Sequence, residues 1–133
     1  MILVIDTSVW VSAMHYEHRA SSPVLALESA RNRDTIAICT EIEDEIRRIL
    51  VKKFHWEPAQ VEYRLSILLA RALRLSISGK IRACRDPNDD MVLECAIAAG
   101  AQLIVSGDKD LLVMESYQGI RIVTPSAYLA LRA

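Results

Sequence analysis

Two apolar runs in this chain each end in a hydroxyl and a carboxylate. Ile2-Leu3-Val4-Ile5 leads into Asp6-Thr7-Ser8, and Leu103-Ile104-Val105 leads into Ser106-Gly107-Asp108. Three of the first four residues are β-branched, the composition of a parallel strand buried on both faces. Ligands of open α/β sheets bind outside the carboxyl ends of the strands. Asp6 and Asp108 therefore predict one acidic site built by the two ends of the chain. The alternative is that each aspartate only caps the helix behind it.

Further carboxylates lie in the middle of the chain. The helix expected after Thr40 carries Glu41, Glu43, Asp44 and Glu45. A capping box with Thr40 accounts for Glu43, and the helix dipole for Glu41. Asp44 projects away from the apolar stripe of Ile42, Ile46, Ile49 and Leu50 into solvent. Glu45 sits at the border of that stripe, where a charge needs a metal, a cation, or water reached past Arg48. In the helix expected from Asp86-Pro87 to Gly100, Asp86 reads as the N-cap and Asp89 as an acid reaching back to it. Asp90 and Glu94, one turn apart, form an acidic strip on an otherwise apolar helix. Asp6, Glu45, Asp90 and Asp108 are thus expected to converge from four elements. Like charges at close quarters raise one another's pKa values unless cations neutralise them. An all-oxygen set without His or Cys favours Mg²⁺ or Mn²⁺ over zinc.

The elements that must position these groups alternate. Strands are expected at 2–5, 35–39, 103–105 and 120–123, with a short one at 81–84. Helical periodicity follows through Met14, over 22–32, from Thr40 through Leu50, from Pro58 through Leu73, from Pro87 to Gly100, over 109–115, and from Pro125. This βαβ alternation predicts an α/β fold with three layers, helices on both faces of a mainly parallel sheet of four to five strands. Ser76-Ile77-Ser78-Gly79 is too short to divide domains, so residues 1–133 are expected to form one domain. Apolar residues make up 52% and charged residues 25% of the chain, a globular profile, and no run is long enough to span a bilayer. Cys39, Cys84 and Cys95 lack any C-x-x-C spacing and read as buried hydrophobes of a cytoplasmic protein. The net charge of -1 announces no nucleic acid, but it averages a basic middle (Arg31, Arg33, Arg47, Arg48, Lys52, Lys53, Arg64, Arg71, Arg74, Lys80, Arg82, Arg85) and an acidic stretch from Asp86 to Asp110.

At its acids the chain resembles the PIN domain family. The resemblance rests on Ile5-Asp6-Thr7-Ser8, Glu45 in the second long helix, Asp90 in Asp90-Met-Val-Leu-Glu-Cys-Ala, and Ser106-Gly-Asp108-Lys-Asp110-Leu-Leu. The runs around Asp90 and Asp108 are most similar to the branch of toxins from toxin–antitoxin pairs, of the VapC-like kind. The resemblance implies a divalent-metal-dependent ribonuclease, commonly a homodimer, restrained by a small antitoxin whose tail enters the acidic groove. It carries the family's four acids onto Asp6, Glu45, Asp90 and Asp108, with Ser8 and Ser106 in support and Glu94 and Asp110 as additional acids. A PIN-like module that binds RNA or protein without cleaving is the alternative. Arg47, Arg48, Lys52 and Lys53 recur along one helix and either grip RNA phosphates or form a solvated face. His15 and His18 read as a solvated helix end, and Trp56 as packing between helices rather than stacking on a base.

Overall fold

The computed structural model describes all of residues 1–133, and the sheet is its organising element. Its strands are β1 (Ile2–Ile5), β2 (Thr35–Cys39), β3 (Leu73–Leu75), β4 (Leu103–Val105), β5 (Ser116–Tyr117) and β6 (Ile120–Val123). They lie in the order β3-β2-β1-β4-β6-β5, with every pairing parallel except the β5–β6 hairpin. The helices are α1 (Thr7–His15), α2 (Ser22–Arg33), α3 (Thr40–Lys52), α4 (Pro58–Leu68), α5 (Pro87–Ala99), α6 (Lys109–Leu112) and α7 (Pro125–Leu131).

From β1 the chain steps outward to β2 and β3, then returns to β4 and steps the other way to β6. Right-handed crossovers in opposite directions put α1 to α4 on one face and α5 and α6 on the other. The strand order reverses between β1 and β4, which pair in register with Ile5 opposite Val105. Such a reversal opens the crevice in which α/β sheets hold ligands. β4 and most of β1 and β2 are buried, as their apolar runs require. Helix α5 is buried along Val92, Leu93, Cys95 and Ala96, and it ends at Gly100 in the left-handed conformation (φ 66°) that its sequence announces.

The structure corrects several local expectations. The sheet has six strands, not four to five. Residues 81–84 are not among them, because their amides bind carboxylates in place of a neighbouring strand. Ile81 N–H donates to Glu94, and Ala83 and Cys84 donate to Asp90. Leu73, expected to end a helix, instead opens β3, which extends the sheet beside β2. Glu43 forms no capping box. Cys39 is the N-cap of α3, and the buried Glu43 carboxylate holds Arg74 and Arg47. Trp56 does pack against the core, and its indole N–H donates to Nδ1 of His15 at 3.1 Å. His15 is therefore not solvated, since it is half-buried against Phe54 with ring centres 4.1 Å apart.

Glu94 has a structural task. Its carboxylate accepts the backbone N–H groups of Gly79 (2.8 Å), Lys80 (2.8 Å) and Ile81 (3.1 Å), with Ser78 Oγ at 3.4 Å. The Gly79 amide contributes most to holding this carboxyl below its ordinary range. Its stabilising effect is present above that range and is lost as pH falls through the lowered value. Glu94→Ala should lower the melting temperature and open residues 76–85 to limited proteolysis. An unchanged cleavage pattern would contradict this role.

Candidate active site

The acids gather where β1 and β4 diverge. Asp6 follows β1, and its N–H donates to the Val105 carbonyl at 2.9 Å, which fixes the two strand ends side by side. Two hydroxyls converge on Asp6 Oδ2: Ser106 Oγ at 2.7 Å and Ser8 Oγ at 3.1 Å. Ser106 Oγ also accepts the Asp108 N–H at 2.9 Å, so one buried hydroxyl couples the two aspartates. Burial raises the Asp6 carboxyl above its ordinary value against these hydrogen bonds, and Asp108 adds repulsion. The capping alternative holds for Asp108, whose Oδ1 accepts the Asp110 N–H at 2.8 Å. It fails for Asp6, which makes no side-chain cap on α1.

Asp89 is the residue that sequence reasoning missed. Expected to reach back to the start of α5, it faces the cluster instead. Asp86 alone supplies the cap, accepting the Asn88 N–H at 2.9 Å. Asp89 is 3% exposed, and its Oδ2 has no hydrogen-bond partner. Carboxylate oxygens of Asp89, Asp108 and Asp110 lie within 4.8 Å of one another. Burial, then the charges of Asp108 and Asp6, push the Asp89 carboxyl up to about 7. The signal was helical spacing, for Asp89 shares the i, i+3, i+4, i+7 stripe with Val92, Leu93 and Ala96, all fully buried. A carboxylate on that stripe must meet a compensating group.

The other expected site residues are placed differently. Asp90 is buried, but its Oδ1 accepts the N–H groups of Ala83 (2.9 Å) and Cys84 (2.8 Å) and so anchors the loop before α5. Glu45 lies at the rim beside α5, 3.4 Å from Asn88 Nδ2, and Arg48 grips it through two nitrogens at 2.6 and 3.2 Å. The Glu45 carboxylate is thus held by Arg48, and it is not one of the three carboxylates that lie within 4.8 Å of one another. Asp110 pairs with the exposed Arg85 at 2.8 Å. Arg47 is engaged by Glu62, Asp44 and Glu43, which leaves Lys52 and Lys53 as the cations of that stretch without a carboxylate partner. Burial and the adjacent Asp90 push the Cys84 thiol up to about 11. An open groove of about 450 Å³, lined by Ser8, Ser12, Ser22, Gly107, Asp108 and Ser126, borders the cluster at Asp108.

A mainly parallel sheet with its reversal between two acid-bearing strands defines an α/β domain with an acidic cleft at the strand ends. The family model described as PIN domain matches residues 2–110, and the chain belongs to that family. Solved structures agree on the fold. VapBC2 from Rickettsia felis, crystallised on a DNA fragment from its promoter, is 20% identical with a TM-score of 0.64, covering 92% of this chain and 97% of that one. Mycobacterium tuberculosis VapC20, a toxin that cleaves the sarcin–ricin loop, is 12% identical with a TM-score of 0.61, over 90% and 98%. PAE2754 from Pyrobaculum aerophilum is 17% identical with a TM-score of 0.59, over 98% and 88%. Comparison with curated proteins finds no significant match. No helix is long and apolar enough to cross a membrane.

Proposed function

We propose that this chain is a divalent-metal-dependent endoribonuclease and the toxin of a toxin–antitoxin pair. The observation that carries the reading is the buried, unpartnered Oδ2 of Asp89 beside the carboxylates of Asp108 and Asp110, with the charge of Asp6 acting on it. A buried carboxylate without a partner is costly. A hard cation satisfies it and removes the repulsion that raises Asp6 and Asp89. The donors are all oxygens, which fits Mg²⁺ or Mn²⁺.

In this reading Asp6, Asp89 and Asp108 hold the ion, with Glu45 and Asp110 at the rim. A bound divalent ion lowers the pKa of water and offsets charge on the phosphoryl oxygens. Ser106 keeps Asp6 and Asp108 in register through its two hydrogen bonds, and Ser8 orients Asp6 from the other side. The hydroxyl-lined groove admits a polyanion beside the acids without adding negative charge. Release of Arg48 from Glu45 and Arg85 from Asp110 would give a phosphate backbone two guanidinium partners at the rim. A cytoplasmic homodimer through α2 and α4 belongs to the same proposal, supported by the exposed Leu25 and Tyr63 on those helices. The antitoxin partner is supported by the VapBC2 likeness.

The test is cleavage of mixed single-stranded RNA with Mn²⁺, with Mg²⁺ and with EDTA. Cleavage that needs either ion and stops in EDTA is expected. Metal binding with no cleavage of any RNA would favour the silent binding module. Light scattering at high concentration should give twice the chain mass, and a strict monomer would remove the dimer from the proposal.

A further inference from the structure

The basic middle of the chain is only partly neutralised. Arg47, Arg48, Arg64, Arg74 and Arg85 all pair with carboxylates. Arg31, Arg33 and Arg71 pair with none, yet they meet around one cavity of about 300 Å³. It lies where β2 and β3 begin, at the opposite end of the sheet from the acids. Its apolar part is built by Ile36, Ile67 and Leu68. Arg31 donates to the Ile67 carbonyl at 3.4 Å and Arg33 to the Arg132 carbonyl at 2.9 Å. Each of these uses one of the five donors a guanidinium carries. Asp34 is the one acid in the lining, and it is already satisfied by Arg132, Tyr128 and the Met1 amine.

Helices α2 and α4 both end at this cavity, and cations are favoured at helix C-termini. That accounts for a cation at each end, but not for three around a partly apolar hollow. The two helix ends contribute about half a negative charge each, so three guanidinium groups leave the rim clearly positive. The volume is at the lower end of the range for small-ligand sites, roughly 300–1,000 Å³. A ligand that fits this lining has a planar apolar body and an anionic group, because guanidinium both stacks on planar rings and grips phosphate bidentately. We propose that this cavity binds a nucleotide, with the base against the apolar wall and the phosphate among the arginines. The nucleotide is either free or the end of an RNA chain.

The experiment is calorimetric titration of the full chain in EDTA, with AMP and with a 5′-phosphorylated RNA oligomer as separate probes. Because metal is removed, the result is independent of whether the acidic cleft cleaves anything. AMP should bind and lose at least tenfold in affinity in the double variant Arg31→Gln/Arg71→Gln, while Asp89→Asn binds as before. Both substituted arginines are at the surface, and circular dichroism checks that the variant folds. Oligomer binding tighter than AMP identifies an RNA end as the ligand; equal or weaker binding identifies the free nucleotide. No heat with either probe, binding that survives the double variant, or binding lost in Asp89→Asn would each overturn the proposal.

Discussion

Asp89→Asn is expected to lower Mn²⁺ affinity by at least about 100-fold and to abolish RNA cleavage, while the metal-free protein becomes no less stable. Loss of a residue that only supports a ligand typically costs about 10–100-fold in metal affinity, and a ligand costs more. The substitution is nearly isosteric and removes one of the charges that Asp6 and Asp108 oppose. Asp90→Asn should behave in the opposite way. Its Oδ1 serves the amides of Ala83 and Cys84, so the variant should melt earlier yet keep Mn²⁺ affinity within a few-fold. Asp108→Asn should be inactive and folded, because an asparagine Oδ1 still accepts the Asp110 N–H that caps α6. Calorimetry with Mn²⁺ and thermal melts of the metal-free variants separate these outcomes. If Asp90→Asn loses the metal and Asp89→Asn keeps it, the site belongs to Asp90, as the acidic strip it shares with Glu94 one helical turn away first indicated.

The second large effect should come from Asp34, far from the cleft. Its fully buried side chain accepts from Tyr128 Oη at 2.5 Å and Arg132 Nε at 3.0 Å, and it pairs with the Met1 amine at 3.1 Å. It thereby ties the end of α2 to α7 and to the start of β1. Removing one partner of a buried charged network leaves the others uncompensated, at about 3–5 kcal/mol. Asp34→Ala should therefore lose about 3 kcal/mol or more in denaturant unfolding. Burial would raise the Asp34 carboxyl, but the hydrogen bonds from Tyr128, the amine and Arg132 outweigh it and hold the group below its ordinary value. The network's stabilisation is accordingly complete above about pH 4 and fades as pH falls through the lowered value. Wild-type protein should lose more stability over this acid range than Asp34→Ala, in which the Glu94 contribution remains. Parallel pH profiles for the two would mean that Asp34 is not the titrating group.

The strands that carry Asp6 and Asp108 could be read from composition, because unbroken Ile/Val/Leu runs are what burial on two faces requires. Their adjacency followed from the ligand crevice of α/β sheets. The third acid could not be read as easily. Asp86, Asp89 and Asp90 crowd one helix start, and capping chemistry explains Asp89 as well as Asp86 until the direction of α5 is known. Only the packing of Val92, Leu93 and Ala96 against the sheet turns Asp89 toward the cleft and leaves Asp90 to the preceding loop. The six-strand count was hidden for a related reason. Leu73-Arg74-Leu75 is too short to show a period, and the β5–β6 hairpin depends on Gln118 and Gly119 adopting φ of 48° and 82°. The Asp34 network was illegible as well, since it joins residues more than thirty positions apart in both directions.

The hydroxyl of Ser106 that joins Asp6 to Asp108 bridges residues a hundred positions apart. Acid and hydroxyl meet only after β4 has slotted beside β1, and β4 in turn leans on β6 at residues 120–123. During synthesis, therefore, a nascent chain that has not yet supplied β6 lacks the strand that β4 leans on, whatever its first hundred residues have already folded into. The proposed ribonuclease would gain its cleft only after residues 120–123 have been made and paired.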